Sequence, residues 1–99
     1  MKVHELKILP QYFSEVKSEK KSFELRKNDR DYKVGDVLIL KEFNPNEEYE
    51  TEEDGVYSNF SGEKVLRQVI YVLEGIEGLN SDYAILGIKP VDSDIELEG

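Results

Sequence analysis

The sequence predicts a small α+β domain, mainly β, in which five or six strands curl into a barrel with one helix between the first two strands. Three observations carry this expectation. Period-two alternation or short apolar runs recur at Val3–Ile8, Ser22–Arg26, Val37–Phe43, Val65–Leu73 and Tyr83–Ile88. A helical period occurs once, from Pro10 to about Ser18. The 99 residues allow a single domain spanning residues 1–99. Five strands in so short a chain bury their apolar faces best by curling, which also removes exposed edges. Strands and helices do not alternate along the chain, so a doubly wound parallel sheet is not expected.

In the first strand His4, Leu6 and Ile8 share one face, with Val3, Glu5 and Lys7 on the other. Pro10 suits the first position of a helix, and Tyr12, Phe13 and Val16 form its apolar stripe. In the second strand Phe23 and Leu25 alternate with Ser22, Glu24 and Arg26. Asn28–Lys33 is polar and turn-rich, and Gly35-Asp36 closes a tight turn before Val37–Phe43. That third strand is apolar on both faces over its first four residues, as a central strand would be. Residues 44–63 read as an acidic loop or loose hairpin, because Asn44–Gly55 holds six acids and no base. Val65–Leu73 is the longest β-type run, Gly75 and Gly78 bracket a turn, and Tyr83–Ile88 is the last strand. Residues 92–99 form an acidic tail expected to fray.

The formal charge of −9 argues against general, phosphate-driven binding to nucleic acid. The charge is unevenly spread, however. Residues 1–33 carry nine bases against six acids, whereas residues 34–99 carry four against sixteen. One basic segment on an acidic protein can hold a single anionic ligand locally; the alternative is a solvated charged surface. With no cysteine and one histidine, neither a disulfide framework nor a zinc ligand set is written, and no metal or cofactor is called for. The first residues do not read as a secretory signal, and no apolar stretch approaches the roughly 20 residues that span a bilayer, so no membrane partner is expected and a cytoplasmic location is the default.

Several short patterns carry little. Gly75-Ile76-Glu77-Gly78 lacks the flanking helices of a nucleic-acid clamp. Glu50-x-Glu52-x-Asp54-Gly55 lacks the closing Glu of a calcium loop. His4 admits two readings, a satisfied and partly buried ring or a titratable group at a cavity mouth. The densest polar cluster is Lys20–Arg30. If Phe23 and Leu25 face the core, Glu24 and Arg26 face a cleft or solvent. There a carboxylate could accept from a base amino group and a guanidinium could donate in a fork. The competing reading is an ion pair on a solvated strand face, worth little.

Three segments, His4–Lys7, Lys20–Asp31 and Tyr32–Leu38, resemble the DUF3850 family, itself similar to the ASCH domains of the PUA-like superfamily. The ASCH signature G-x-K-x-x-E-x-R falls on Glu19, Lys21, Glu24 and Arg26, with Glu19 in place of a glycine that would allow positive φ. The resemblance implies a pseudobarrel with a helix beside a cleft and an RNA or nucleotide ligand. One ASCH branch hydrolyses acetylated cytidine with a lysine and a glutamate. Lys21 matches that lysine, and a threonine three residues later in that branch is Glu24 here.

Three functional expectations follow. In the first, a cleft of His4, Lys7, Lys21, Glu24, Arg26 and Arg30 binds a nucleotide or RNA. In the second, the chain is an amidohydrolase acting on a modified nucleoside, with Lys21 as base or nucleophile, Glu24 as proton carrier and Arg26 as orienter. In the third, an acidic face binds a basic partner, as an accessory or interaction protein would. Convergence of Lys21, Glu24 and Arg26 in a concave pocket favours the first two, and a flat arrangement favours the third.

Overall fold

A computed structural model describes residues 1–92 of the chain. The elements are β1 (Val3–Ile8), α1 (Pro10–Lys17), β2 (Phe23–Lys27), β3 (Val37–Phe43), β4 (Tyr49–Glu50), β5 (Tyr57–Ser58), β6 (Phe60–Leu73) and β7 (Tyr83–Pro90). Five strands form one sheet in the order β1-β3-β6-β7-β2, and β4 and β5 pair as a separate hairpin. Only the β1–β3 pairing is parallel within the five-stranded sheet. The sheet curls into a half-barrel, so the expectation of a mainly β pseudobarrel with one helix between the first two strands holds.

The curl has a local origin in β6. Its first part pairs with β3 and its second with β7, and Arg67 and Gln68 pair with both. Register shifts between Lys41 and Phe43 and between Val69 and Tyr71 add twist where the strands bend. The concave side is filled by Leu6 and Ile8 of β1, Leu38 and Leu40 of β3, Val65 and Val69 of β6, and Ala84, Leu86 and Ile88 of β7. Helix α1 covers this side with Phe13 and Val16. Its last turn is held by Arg67, whose guanidinium donates to the Val16 carbonyl (2.9 Å) at the helix end.

Four sequence expectations need correction. The segment β6 begins at Phe60 rather than Val65, so the acidic loop is shorter than 44–63 and contains the β4–β5 hairpin. Phe60 pairs with Phe43 and Lys64 with Lys41 at the end of β3, across a register shift, which apolar patterning does not reveal. Tyr12 does not join Phe13 and Val16 in the core but is exposed. Most consequential is the facing of β2. Glu24 is 3% exposed, whereas Phe23 and Leu25 are 49% and 55% exposed. Antiparallel partners share a face: Glu24 lies opposite Leu86 and Arg26 opposite Ala84, both fully buried. β7 thus dictates that Glu24 and Arg26 point inward, since slipping β2 by one residue would turn them to the outer face. Of the acidic tail at residues 92–99, all but Asp92 lies outside the described residues.

Helix α1 ends in a left-handed residue, and that residue is Glu19 with φ 64°. The Glu19 N–H donates to the Val16 carbonyl, and the Lys21 N–H returns to Glu15. This reversal aims Lys21 back along the helix. The position where the related signature carries glycine thus does require positive φ. A non-glycine residue there costs about 1–2 kcal/mol, against roughly 0.5–1 kcal/mol for the added freedom of an unfolded glycine. Glu19→Gly should therefore raise stability by about 0.5–1 kcal/mol. A higher urea midpoint at unchanged slope is the expected result, and a lower midpoint contradicts it.

Candidate functional site

β1 and β2 are the two edges of the curled sheet, and a cleft of about 620 Å³ opens between them under α1. Its walls are the end of β1 with Lys7, the exposed side of α1 with Tyr12 and Glu15, the Lys20-Lys21 turn, and Phe23–Arg26 of β2. At its centre the Glu24 carboxylate accepts from Lys21 Nζ through Oε1 (2.5 Å) and from Arg26 Nε through Oε2 (2.8 Å). The side chains of Lys21 and Arg26 are themselves mostly buried. Lys21 Nζ also lies 5.3 Å from the centre of the Tyr12 ring and 5.1 Å from that of Phe23. A carboxylate and two aromatic faces are neighbours that attract a cation.

Arg26 commits only Nε to Glu24. Its two terminal amino groups, the ends of the guanidinium fork, have no acceptor among the described residues. Glu24 is thus less a reader of ligands than a buried anchor that presets two cations. Lys21, Glu24 and Arg26 converge in a concave site, the arrangement that favours the binding and hydrolase expectations over the flat, interacting face.

The remaining candidates divide. Lys7 lines the cleft, and Arg30 lines an adjoining recess that shares Lys7 and Arg26 with it. His4 does not reach the cleft. Its ring is 7% exposed, and Nε2–H donates to Asp36 Oδ2 at 2.9 Å. Its edge meets the Tyr32 ring, with centroids 4.9 Å apart. Of its two readings, the satisfied and buried one is observed. Sequence reasoning missed the aromatic walls, Tyr12 and Phe23. The available signal was that both are apolar residues beside, rather than on, the inward face of their element.

Tyr32, 5% exposed, packs close behind this cluster. Burial pushes its hydroxyl pKa up, while Arg26 and Arg30 pull it partly back. Among the described residues, no three His, Asp or Glu side chains converge as a metal site would need, and no helix is long and apolar enough to cross a membrane.

With this geometry in view, comparison places the sequence. Residues 3–88 match the family described as "Domain of unknown function (DUF3850)". The chain belongs to the DUF3850 family. The match spans β1 to β7, and hence every wall of the cleft. A protein of Escherichia phage P2, described as an "Uncharacterized 12.9 kDa protein in GpA 3'region", is 36% identical to this chain over 85 residues. That alignment covers 86% of this chain and 66% of the phage protein, so the chain spans just under two thirds of its relative's length.

The second buried carboxylate of this DUF3850 chain, Asp36, is structural. Oδ1 accepts from the Lys2 N–H (2.9 Å), and Oδ2 from His4 Nε2 (2.9 Å) and the Lys33 N–H (3.0 Å), locking β1 to the turn before β3. Burial alone would raise its pKa, but the bonds from His4, Lys2 and Lys33 outweigh it and hold the carboxyl below the usual carboxylate value. A depressed folded pKa means stability that is complete above the unfolded value near 3.9 and is lost as pH falls through the folded one. Asp36→Asn should cost about 1–3 kcal/mol at pH 7, because an amide presents N–H groups where donors already point. Urea midpoints from pH 5 to pH 2.5 should show the gap between wild type and variant closing below about pH 4. A gap that persists unchanged to pH 2.5 contradicts this role.

Proposed function

We propose that the cleft between β1 and β2 binds a nucleotide, free or as part of an RNA strand. The observation that carries this reading is the guanidinium of Arg26, held at Nε by Glu24 beside two aromatic faces, with its terminal amino groups lacking an acceptor among the described residues. A planar fork suits a phosphate's paired oxygens, and aromatic rings at hand suit a base's π-face. The cleft volume of about 620 Å³ lies within the range of small-molecule sites. Around the cleft Lys7, Lys20, Lys21 and Arg26 face only Glu15 and Glu24, a local excess of cations on a chain of charge −9. The likeness of Glu19–Arg26 to the ASCH signature supports the same reading.

The hydrolase alternative asks Lys21 to act as a base or nucleophile, which needs a neutral amine. Its Nζ is instead engaged by Glu24 and flanked by ring faces, contacts suited to an ammonium. The binding reading is therefore the one the geometry favours.

Calorimetric titration of the intact chain with nucleoside 5′-monophosphates tests it. Arg26→Lys should weaken binding by about 1–3 kcal/mol, since an ammonium cannot reproduce the fork. For a short RNA, two or three phosphate contacts predict a slope of log K against log salt of about −1.5 to −2. Equal binding by wild type and Arg26→Lys, or a slope typical of many phosphates, sinks the proposal.

A further inference from the structure

The cleft does not end at Arg26. A recess of about 390 Å³ adjoins it, with Lys7 and Arg26 common to both walls. Beyond them this recess is lined by Glu5, Leu6, Arg30, Lys41 and Phe60. A third hollow, of about 410 Å³, continues from Phe60 and Lys41 toward Lys64. Phe60 is set firmly: it pairs across the β3–β6 ladder with Phe43, ring centroids 4.9 Å apart at 60°. Phe43 stands behind it, with Lys7 Nζ 4.4 Å over its ring. Phe60 is the ring that lines the hollows.

The same pairing of parts thus occurs twice, in two hollows that share Lys7 and Arg26. At one end Tyr12 and Phe23 stand beside Lys21 and Arg26, and at the other Phe60 stands beside Lys41 and Arg30, with Lys7 and Arg26 on the saddle between them. Resting on the nucleotide reading above, we propose that the site takes at least two successive nucleotides of a single-stranded nucleic acid. The first base lies against Tyr12 and Phe23, the linking phosphate at the Lys7–Arg26 saddle, and the second base on Phe60. A free mononucleotide needs one aromatic wall and one cation; a chain of nucleotides needs that pair repeated.

The recess is held in reserve by weak contacts. Lys41 Nζ meets Glu5 Oε1 at 3.2 Å, and both side chains are well exposed, as expected of a pair that yields readily to phosphate. Among the described residues Arg30 donates only to the Glu5 carbonyl, at 3.2 Å. A duplex is not the fitting partner, because its bases are stacked on one another and offer no free face to the Phe60 ring.

Titration of the intact chain by calorimetry and amide NMR, with a 5′-mononucleotide, a dinucleotide, and a longer single strand together with its own duplex, tests the track. The dinucleotide should bind about 5- to 100-fold tighter than the mononucleotide, the range that one stacked base supplies. Amide signals of residues 41 and 60 should shift with the dinucleotide alone. Phe60→Leu should reduce dinucleotide affinity to the mononucleotide level while leaving mononucleotide affinity unchanged. Should Phe60→Leu not fold, Lys41→Ala at an exposed position should shrink the same advantage. Equal affinity for one and two nucleotides would overturn the track while the nucleotide reading stands. Binding of neither would overturn the nucleotide reading itself, and a duplex bound as tightly as the single strand would overturn strandedness.

Discussion

A curled sheet that stops short of closure must do something with its two edges, and the whole arrangement of this protein follows from how it does so. β1 pairs on one side with β3, and β2 on one side with β7, leaving a seam between them. An open seam exposes unpaired backbone and invites association with other strands. Here α1 lies over it, carried from β1 by Pro10 and fastened at its far end by Arg67. The helix is only eight residues long, so it covers the seam without filling it. The space left is the cleft.

The polarity of that space follows from β2. Its inward residues are Glu24 and Arg26 rather than the apolar pair beside them. A carboxylate so buried is tolerable only when charged donors satisfy it. Lys21 and Arg26 do so, and their ammonium and guanidinium groups are thereby drawn to the seam. Burying one acid has the effect of fixing two cations at the mouth of a cavity. The left-handed turn at Glu19 is part of the same device, since it returns the chain so that Lys21 reaches Glu24.

Much of this was legible in the sequence, and the part that was not has a physical cause. Alternation placed His4, Leu6 and Ile8 on one face of β1, and all three are buried. The two-sided apolar run at Val37 marked β3 as an inner strand, which it is. Alternation says which residues share a face, though, and not which face is inside. For β2 the apolar choice pointed the wrong way, because the decision belongs to Ala84 and Leu86 of β7, some 60 residues distant in the chain and invisible to local pattern. The start of β6 was hidden likewise: Phe60 and Lys64 are held by pairing with Phe43 and Lys41, and Ser61, Gly62 and Glu63 lie in the register shift between those two pairs. The candidate site suffered less. Glu24 and Arg26 were grouped by strand alternation and Lys21 by its likeness to the signature, and the three do meet in a cleft that Lys7 also lines, whereas His4 turns out to face Asp36.

Asp36 and Glu24 together show what separates a structural polar cluster from one fit to receive a ligand. Both are nearly inaccessible carboxylates, and both have each oxygen hydrogen-bonded. The difference lies in their donors. Two of the three groups that serve Asp36 are backbone N–H groups with a single proton, spent once the bond is made. That cluster is closed, and its effect is to hold β1 in place. The groups that serve Glu24 are side-chain cations with several protons each, and the bonds to Glu24 use a minority of them. Their remaining donors are oriented by the buried acid but not consumed by it. Preorganised, partly unmet donors beside aromatic walls are costly to leave to water alone and ready for an anion, which is why burial of Glu24, rather than its charge, is the feature from which the cleft's chemistry is best argued.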